Sequence, residues 1–561
     1  MERFQRIVPL LKRNDPIINS LNMCTIQMTD DMIDILIEAL NSNSFISKIV
    51  LFDNALTEKS AIKIFNLLLT NPKLTHLEIS NNKLSDESII ELSKTLKKLP
   101  PNRDPISVCL RKNDFSLMGA EALAGALRSN VPVYWLDLRD NPQIGDRGIE
   151  SIACSLTSNT NLTGLDVIKC GCNELGAAAL ADSLLDNHTL KTLLIQDELN
   201  FNAINSLGRL FEAPTCSLQA LYLWHCSLTA KLLEELCMSL RMNCSLTTLA
   251  LSYNKIDDKG AIYLADMIFK NKSLLKLQLG ANLFSTHTAG YFGVALSKNA
   301  TLQFLDLSRN NLRSYGVWPI AVSLMNNKTL KTIDLRYNSI DSSGAEILCE
   351  LIAKNTSITV MRLSGNTFDS NSIKMIAEKL KVNKTLKDLE LNEVSMTSDG
   401  FVALCNALII NNTLEHISLS KNFFTSDSAM KSFSKLLKTN KTLQVIGMSS
   451  CMISDEGCKY IAEGIAGNST LLELDISKNN ISIEGARMIL EALQGNYSLM
   501  KLDQNENPFY GDNNAADDGE PGLDEILNRS TDYLERNNYY QHNILMKDMS
   551  AMAKDTVFFN M

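Results

Sequence analysis

Two stretches decide the fold: Leu249-Ala250-Leu251-Ser252-Tyr253-Asn254-Lys255-Ile256 and Leu305-Asp306-Leu307-Ser308-Arg309-Asn310-Asn311-Leu312. Both read L-x-L-x-x-N-x-[LI], and an apolar residue, Leu246 or Leu302, precedes each. The first Leu of the pattern, or an apolar substitute, recurs at 21, 49, 77, 108, 136, 165, 193, 221, 249, 277, 305, 333, 361, 389, 417, 446, 474 and 502. Fourteen of the seventeen steps are 28 residues; the others are 31, 29 and 29. The chain is therefore read as eighteen near-copies of one unit over residues 18–507.

Each unit changes period halfway. The L-x-L alternation puts two side chains on one face of a short strand. The second half is helical: Ala261, Leu264, Ala265 and Ile268 fall at i, i+3, i+4 and i+7, as do Ala345, Leu348, Cys349 and Ile352. A Gly recurs eleven residues after the first Leu, as at Gly119, Gly260, Gly344 and Gly485. A polar or acidic residue such as Asp258 or Asp399 sits just before it, suiting a helix N-terminus. A strand-plus-helix brick of this size cannot bury its own apolar face; stacked bricks bury it against one another. The strands then form one parallel sheet and the helices an outer layer. Helices are about 10 Å wide and strands about 4.8 Å, so the stack is expected to curve with the sheet inside. The fold class is α/β: a leucine-rich-repeat solenoid, or horseshoe, with a parallel sheet on its concave face and helices on its convex face.

The pattern L-x-x-L-x-L-x-x-[NC]-x-L in units of 28–29 residues resembles the ribonuclease-inhibitor-like class of leucine-rich repeat proteins. That class includes inhibitors, immune-receptor arms, Ran GTPase-activating proteins and axonemal scaffold subunits, so the resemblance bears on fold more than on function. It implies that the Asn position, held by Asn54, Asn82, Asn254, Asn338 and others, is buried, with its amide bonding turn backbone. Cys170, Cys226 and Cys451 replace the Asn, and Ile26, Glu198 and Val394 depart from it. A buried unpaired carboxylate is costly. The turn at Glu198 is therefore expected to be remodelled and its side chain exposed.

Composition narrows the function. The formal charge is −9, with 54 Lys plus Arg against 63 Asp plus Glu. That balance excludes nucleic-acid binding driven by phosphate neutralisation. No apolar run reaches the length of a membrane helix, and the start lacks the features of a secretory signal. Thirteen cysteines without an export signal read as reduced thiols, and the expected location is cytoplasmic, cytoskeleton or cilium included. The N-x-[ST] tripeptide recurs in repeat register from Asn187 to Asn496. It is read as a structural turn, with a helix-terminal Asn able to take positive φ, and not as a set of glycosylation sites. Cys170, Cys172, His225 and Cys226 are read as core thiols and a surface ring; no metal or other cofactor is expected. No catalytic motif is present, so the chain is read as a non-enzyme.

Binding is expected on the concave face, where the aromatic and arginine side chains concentrate. The candidate partner residues are Trp135, Asp137, Arg139, Tyr222, Trp224, His225, Tyr253, Phe304, Arg309, Arg336 and Tyr337. Trp, Tyr and Arg dominate interface hot spots. The function read from this is a protein–protein interaction scaffold. Two alternatives stand beside it. One is a Ran-type GTPase-activating protein acting on a small GTPase through Arg111, Arg139 or Arg336. The other is an axonemal or cytoskeletal subunit. Residues 1–17 are expected to cap the solenoid. Residues 508–561 are expected to hold an acidic loop, a capping helix with Leu523, Ile526, Leu527, Tyr533 and Leu534, and a tail. The loop with Pro100, Pro101 and Pro105, at the 31-residue step, is expected to bulge.

Overall fold

The structure is a computed structural model that describes residues 2–424, 426–508 and 526–538. It divides into two compact units, Met1–Leu283 and Phe284–Met561. Each is an α/β leucine-rich-repeat solenoid in which short parallel strands alternate with helices. Among the described residues the first unit holds ten strands, from Ser20–Asn22 to Lys276–Gln278, and the second eight, from Phe304–Asp306 to Lys501–Asp503. The repeat positions pair in register: Leu21 with Ile49, Leu249 with Leu277, Leu305 with Ile333, Leu474 with Leu502. The 31-residue step keeps that register, with Leu77 opposite Val108.

The strand leucines and the helix stripes close the core together. Leu249, Leu251, Leu264 and Ala261 are fully buried, as are Leu305 and Leu307. The recurrent Gly has a steric cause. A Cβ on Gly344 would lie 2.3 Å from Ile340 Cγ2, and one on Gly119 would lie 2.8 Å from Asp86 Oδ1. The Asp86 carboxylate itself accepts from the backbone N–H groups of Ser116 (2.7 Å) and Gly119 (2.8 Å), capping the next unit's helix from the unit before. Asp455 does the same for Ser482 and Gly485.

Two asparagine ladders tie neighbouring bricks. In the first, Asn82 Nδ2 donates to Leu51 O (2.8 Å) and Ser80 O (3.0 Å), while its Oδ1 accepts from Asn54 N (3.0 Å). Asn113 and Asn141 continue the series. The thiol of Cys451 substitutes as donor, to Leu419 O at 3.4 Å. In every unit but one, the residue before this position has φ between 51° and 69°, from Thr25 to Glu506. The exception is Asp197. There the turn is remodelled: half-buried Asp197 takes the ladder position and accepts from Cys172 N at 2.9 Å, and Glu198 is exposed.

The second ladder is the N-x-[ST] series. Asn271 Nδ2 donates to Leu240 O (2.8 Å) and Asn243 O (3.2 Å); its Oδ1 accepts from Ser273 N (2.9 Å) and Leu274 N (2.7 Å). These amides are buried and committed, which excludes a glycan on them in the folded chain. The expected positive φ is corrected here: Asn271 has φ −67° and Asn355 −73°, extended backbone. The position needs an amide that bonds both ways, not a left-handed residue.

At two places an arginine serves helix-end carbonyls as the ladder Asn does elsewhere. In the loop at the 31-residue step, Arg103 donates to the carbonyls of Leu68, Asn71 (3.1 Å) and Leu74. The loop expected to bulge is thus anchored to the helix terminus behind it. Residues 526–538 are helical, and from them Arg536 donates to Leu493 O (3.2 Å), Gln494 O (3.2 Å) and Asn496 O. Buried Asn537 adds a bond to Leu499 O at 2.7 Å. The expected acidic loop, Gly511 to Gly522, Leu523 at the start of the expected helix, and the tail Asp555 to Met561 lie outside the described residues. At the other end, helix Glu2–Lys12 buries Leu11, whose carbonyl accepts from Asn43 Nδ2 at 3.2 Å.

Candidate functional site

Side chains flanking the first strand Leu, and the turn residues after it, point away from the helices. In the first unit they form two groups. One is ionic. Arg111 Nε meets Asp137 Oδ2 at 2.8 Å and Nη2 approaches Glu78 Oε1 at 3.8 Å, and Arg139 pairs with Asp166. Asp137 is only 3% exposed and Asp166 fully buried. Burial, with Asp166 adding to it, pushes the Asp137 carboxyl up to about 6. Asp137 is therefore held within the face and not presented on it. Trp135 lies flat over the neighbouring strand: a Cβ on Gly164 would come within 2.0 Å of its ring. It covers a rung as well as being half-exposed.

The second group is aromatic. Tyr222 and Trp224, on strand Ala220–Leu223 and its turn, meet edge to face with centroids 5.1 Å apart. His225 and Tyr253, at equivalent turn positions one unit apart, stack at 4.6 Å and 20°. Tyr253 is half-exposed, His225 exposed, and Tyr222 and Trp224 partly so. The residue opposite Tyr222 is small Ala250 on the next strand and Leu194 on the strand before.

In the second unit, Arg309 lies over the Tyr337 ring at 4.4 Å, and Tyr337 Oη donates to Glu393 Oε2 at 3.2 Å. The Tyr337 ring also closes over Gly365, where φ is +69° and a Cβ would clash at 2.2 Å. Arg336 is bidentate to Asp334 and reaches Glu390 at 3.4 Å. Phe304 is half-buried on its strand. Arg111, Arg139 and Arg336, which the GTPase-activating alternative would need as free guanidinium groups, are all engaged by carboxylates of this chain.

One feature of the second unit was not anticipated. An open hollow of about 450 Å³ lies on the strand face, lined by Asp388, Glu390, His416, Gly447, Asp475 and Asp503 among others. Its sequence signal was Gly447, which stands opposite Ser418 and Asp475 where a strand would otherwise carry an outward side chain. Cys170, Cys172 and Cys226 are buried thiols, with Cys170 Sγ donating to Leu138 O at 3.0 Å. Burial raises all three well away from the thiolate, so they are poorly suited as nucleophiles or ligands. No helix among the described residues is long and apolar enough to cross a membrane.

Known proteins agree with this architecture. The family model described as "Leucine Rich repeat" matches residues 70–93, 136–153, 243–265, 298–321, 326–349, 439–462 and 467–490. NACHT, LRR and PYD domains-containing protein 14 of Mus musculus is 32% identical over 259 residues, 46% of this chain and 26% of that protein. Ribonuclease inhibitor of Mus musculus is 26% identical over 262 residues, 45% of this chain and 56% of the inhibitor. The chain thus spans about a quarter of the first relative and just over half of the second. Such repeats mark a protein-interaction domain. With an L-x-L strand and a helix in each brick, asparagine ladders between bricks, and repeat matches in both units, the chain is a ribonuclease-inhibitor-like leucine-rich repeat protein.

Proposed function

We propose that the chain is a non-catalytic scaffold that holds protein partners on the strand faces of its repeats. The observation that carries this reading is the aromatic group Tyr222, Trp224, His225 and Tyr253, at least partly exposed, with Tyr222 beside small Ala250. Rigid rings with polar edges are what central interface anchors are made of. Trp135 and Arg139 extend the surface in the first unit. Phe304, Arg309, Arg336 and Tyr337 offer a separate aromatic and cationic patch in the second. The mixed charge of both patches suits a polar protein surface.

The test compares the native chain with Trp224→Ala in affinity purification from the native source. The variant is expected to keep its thermal midpoint and lose the partners. Equal recovery of the same partners by both chains would refute the assignment. A collapse of the midpoint with binding retained would show that Trp224 belongs to the core.

A further inference from the structure

The chain's remaining tryptophan is not on a strand face. Trp318 is 52% exposed on the outer side of helix Arg313–Leu324, with Tyr315 at 87% and Val322 at 45% on the same stripe. The preceding helix, Thr288–Lys298, adds Tyr291 at 44% and Val294 at 66%. The two helices pack closely because Gly293 lies against Pro319, where a Cβ would sit 2.9 Å from the carbonyl oxygen. Neither helix contains a carboxylate. Their cations, Arg313 and Lys298, stand at helix ends, so covering the stripe desolvates no charge at its centre. Together these five side chains expose on the order of 500 Å² of apolar surface, the size at which patches on monomers are commonly functional.

We propose that this helix face is a self-association surface that joins two copies of the chain about a two-fold axis. A two-fold interface must be self-complementary, each patch fitting an identical patch. The repeat supplies that fit. Residues 28 apart occupy equivalent places on the two helices, so Trp318 corresponds to Gly290 and Val322 to Val294. An axis running parallel to the helices and between them sets each residue against its repeat equivalent in the other copy. Trp318 then enters the notch at Gly290 of the second copy, where the space around an added Cβ is empty to 4 Å. Pro319 meets Tyr291, and Val322 meets Val294. Large faces small at the centre, and this occurs twice by symmetry. The area covered on both copies, on the order of 1,000 Å², lies at the lower limit for specific interfaces, so the dimer is weak and concentration-dependent.

Sedimentation velocity on the full chain, from about 1 to about 100 µM, reads the result. The native chain is expected to shift from monomer to dimer across that range. Trp318→Glu is expected to weaken the association at least tenfold. Gly290→Leu is the second variant, because it fills the notch at an open helical position where Gly is a poor helix former. It should keep or raise the thermal midpoint and still lose the dimer, so a folding failure of Trp318→Glu leaves the test intact. A native chain that stays monomeric at the highest concentration overturns the proposal. So does a dimer that Gly290→Leu leaves unchanged. Tyr253→Ala, on the strand face, should leave dimerisation as it is, which separates this surface from the partner site.

Discussion

Removing one rung of the second asparagine ladder should cost far more than its exposure suggests. Asn355 is 5% exposed. Its Nδ2 donates to Leu324 O (2.6 Å) and Asn327 O (3.2 Å), and its Oδ1 accepts from Ser357 N (2.8 Å) and Ile358 N (2.7 Å). In Asn355→Ala the two carbonyls keep a second donor each, Asn327 N at 3.2 Å and Ser357 Oγ at 2.9 Å. The two N–H groups keep none of the bonds described for them. An orphaned buried donor costs about 1–3 kcal/mol, and the weakened carbonyls add to that, so the expected loss is about 3–5 kcal/mol. Stability in a repeat protein is a sum of local and nearest-neighbour terms, so the loss is felt first in the second unit. Urea unfolding followed by far-UV circular dichroism, with amide exchange of residues 327–358, measures it. Asn326→Ala, exposed and one residue from the equivalent Asn of the preceding unit, serves as the control and should stay within about 0.5 kcal/mol. If Asn355→Ala falls within the same limit, the ladder is incidental and the account of how bricks are joined fails.

Other expectations rest on separate contacts. Leu307, fully buried, should lose about 2–5 kcal/mol on truncation to Ala, read as a lower urea midpoint with the strand-face binding kept. Arg103→Ala should destabilise the first unit by about 1–3 kcal/mol, and Arg103→Lys should not restore it, because one ammonium cannot serve carbonyls that a forked guanidinium reaches together; full rescue by Lys would contradict this. The Asp137 carboxyl, raised to about 6, holds its proton more tightly folded than unfolded. Its contribution is therefore favourable at low pH and is lost as pH rises toward 6, a slope of about 3 kcal/mol in all. Asp137→Asn should unfold at higher urea than the native chain near neutral pH, with the gap closing toward pH of about 4; a gap that ignores pH would refute the assignment.

The strands were legible because strand and core are written by the same residues. All eighteen first-Leu positions, from Leu21 to Leu502, lie within strands, at the centre of the fourteen three-residue ones. The asparagine ladders were legible as positions but not as geometry. A sequence shows that Asn355 recurs in register; it does not show whether its φ or its amide is what the fold needs, and the amide proved to be the reason. Glu198 was recognised as a misfit, but the substitute, Asp197, is displaced by one residue and emerges only once the turn loses its positive φ. Arg103 and Arg536 escaped notice because each acts alone, outside the period that makes the ladder visible. Trp318 and the hollow at Gly447 escaped for a related reason: a repeat pattern identifies what recurs, and neither feature does.

That distinction bears on why the strand face is the place to seek partners. The positions that build the brick are filled mostly by Leu or another aliphatic residue, Asn, Cys and Gly. The turn residue at positive φ is under the opposite pressure, since a left-handed conformation costs a residue with a Cβ about 1–2 kcal/mol and costs Gly almost nothing. Gly365 shows that the fold accepts Gly there. Yet His225, Tyr253, Arg309 and Tyr337 hold that conformation at φ 51–59°. There His225 stacks on Tyr253 and Arg309 on Tyr337, and Tyr337 also bonds Glu393, all partly open to solvent. On the scaffold reading proposed above, these side chains are the ones a partner on the strand face would meet.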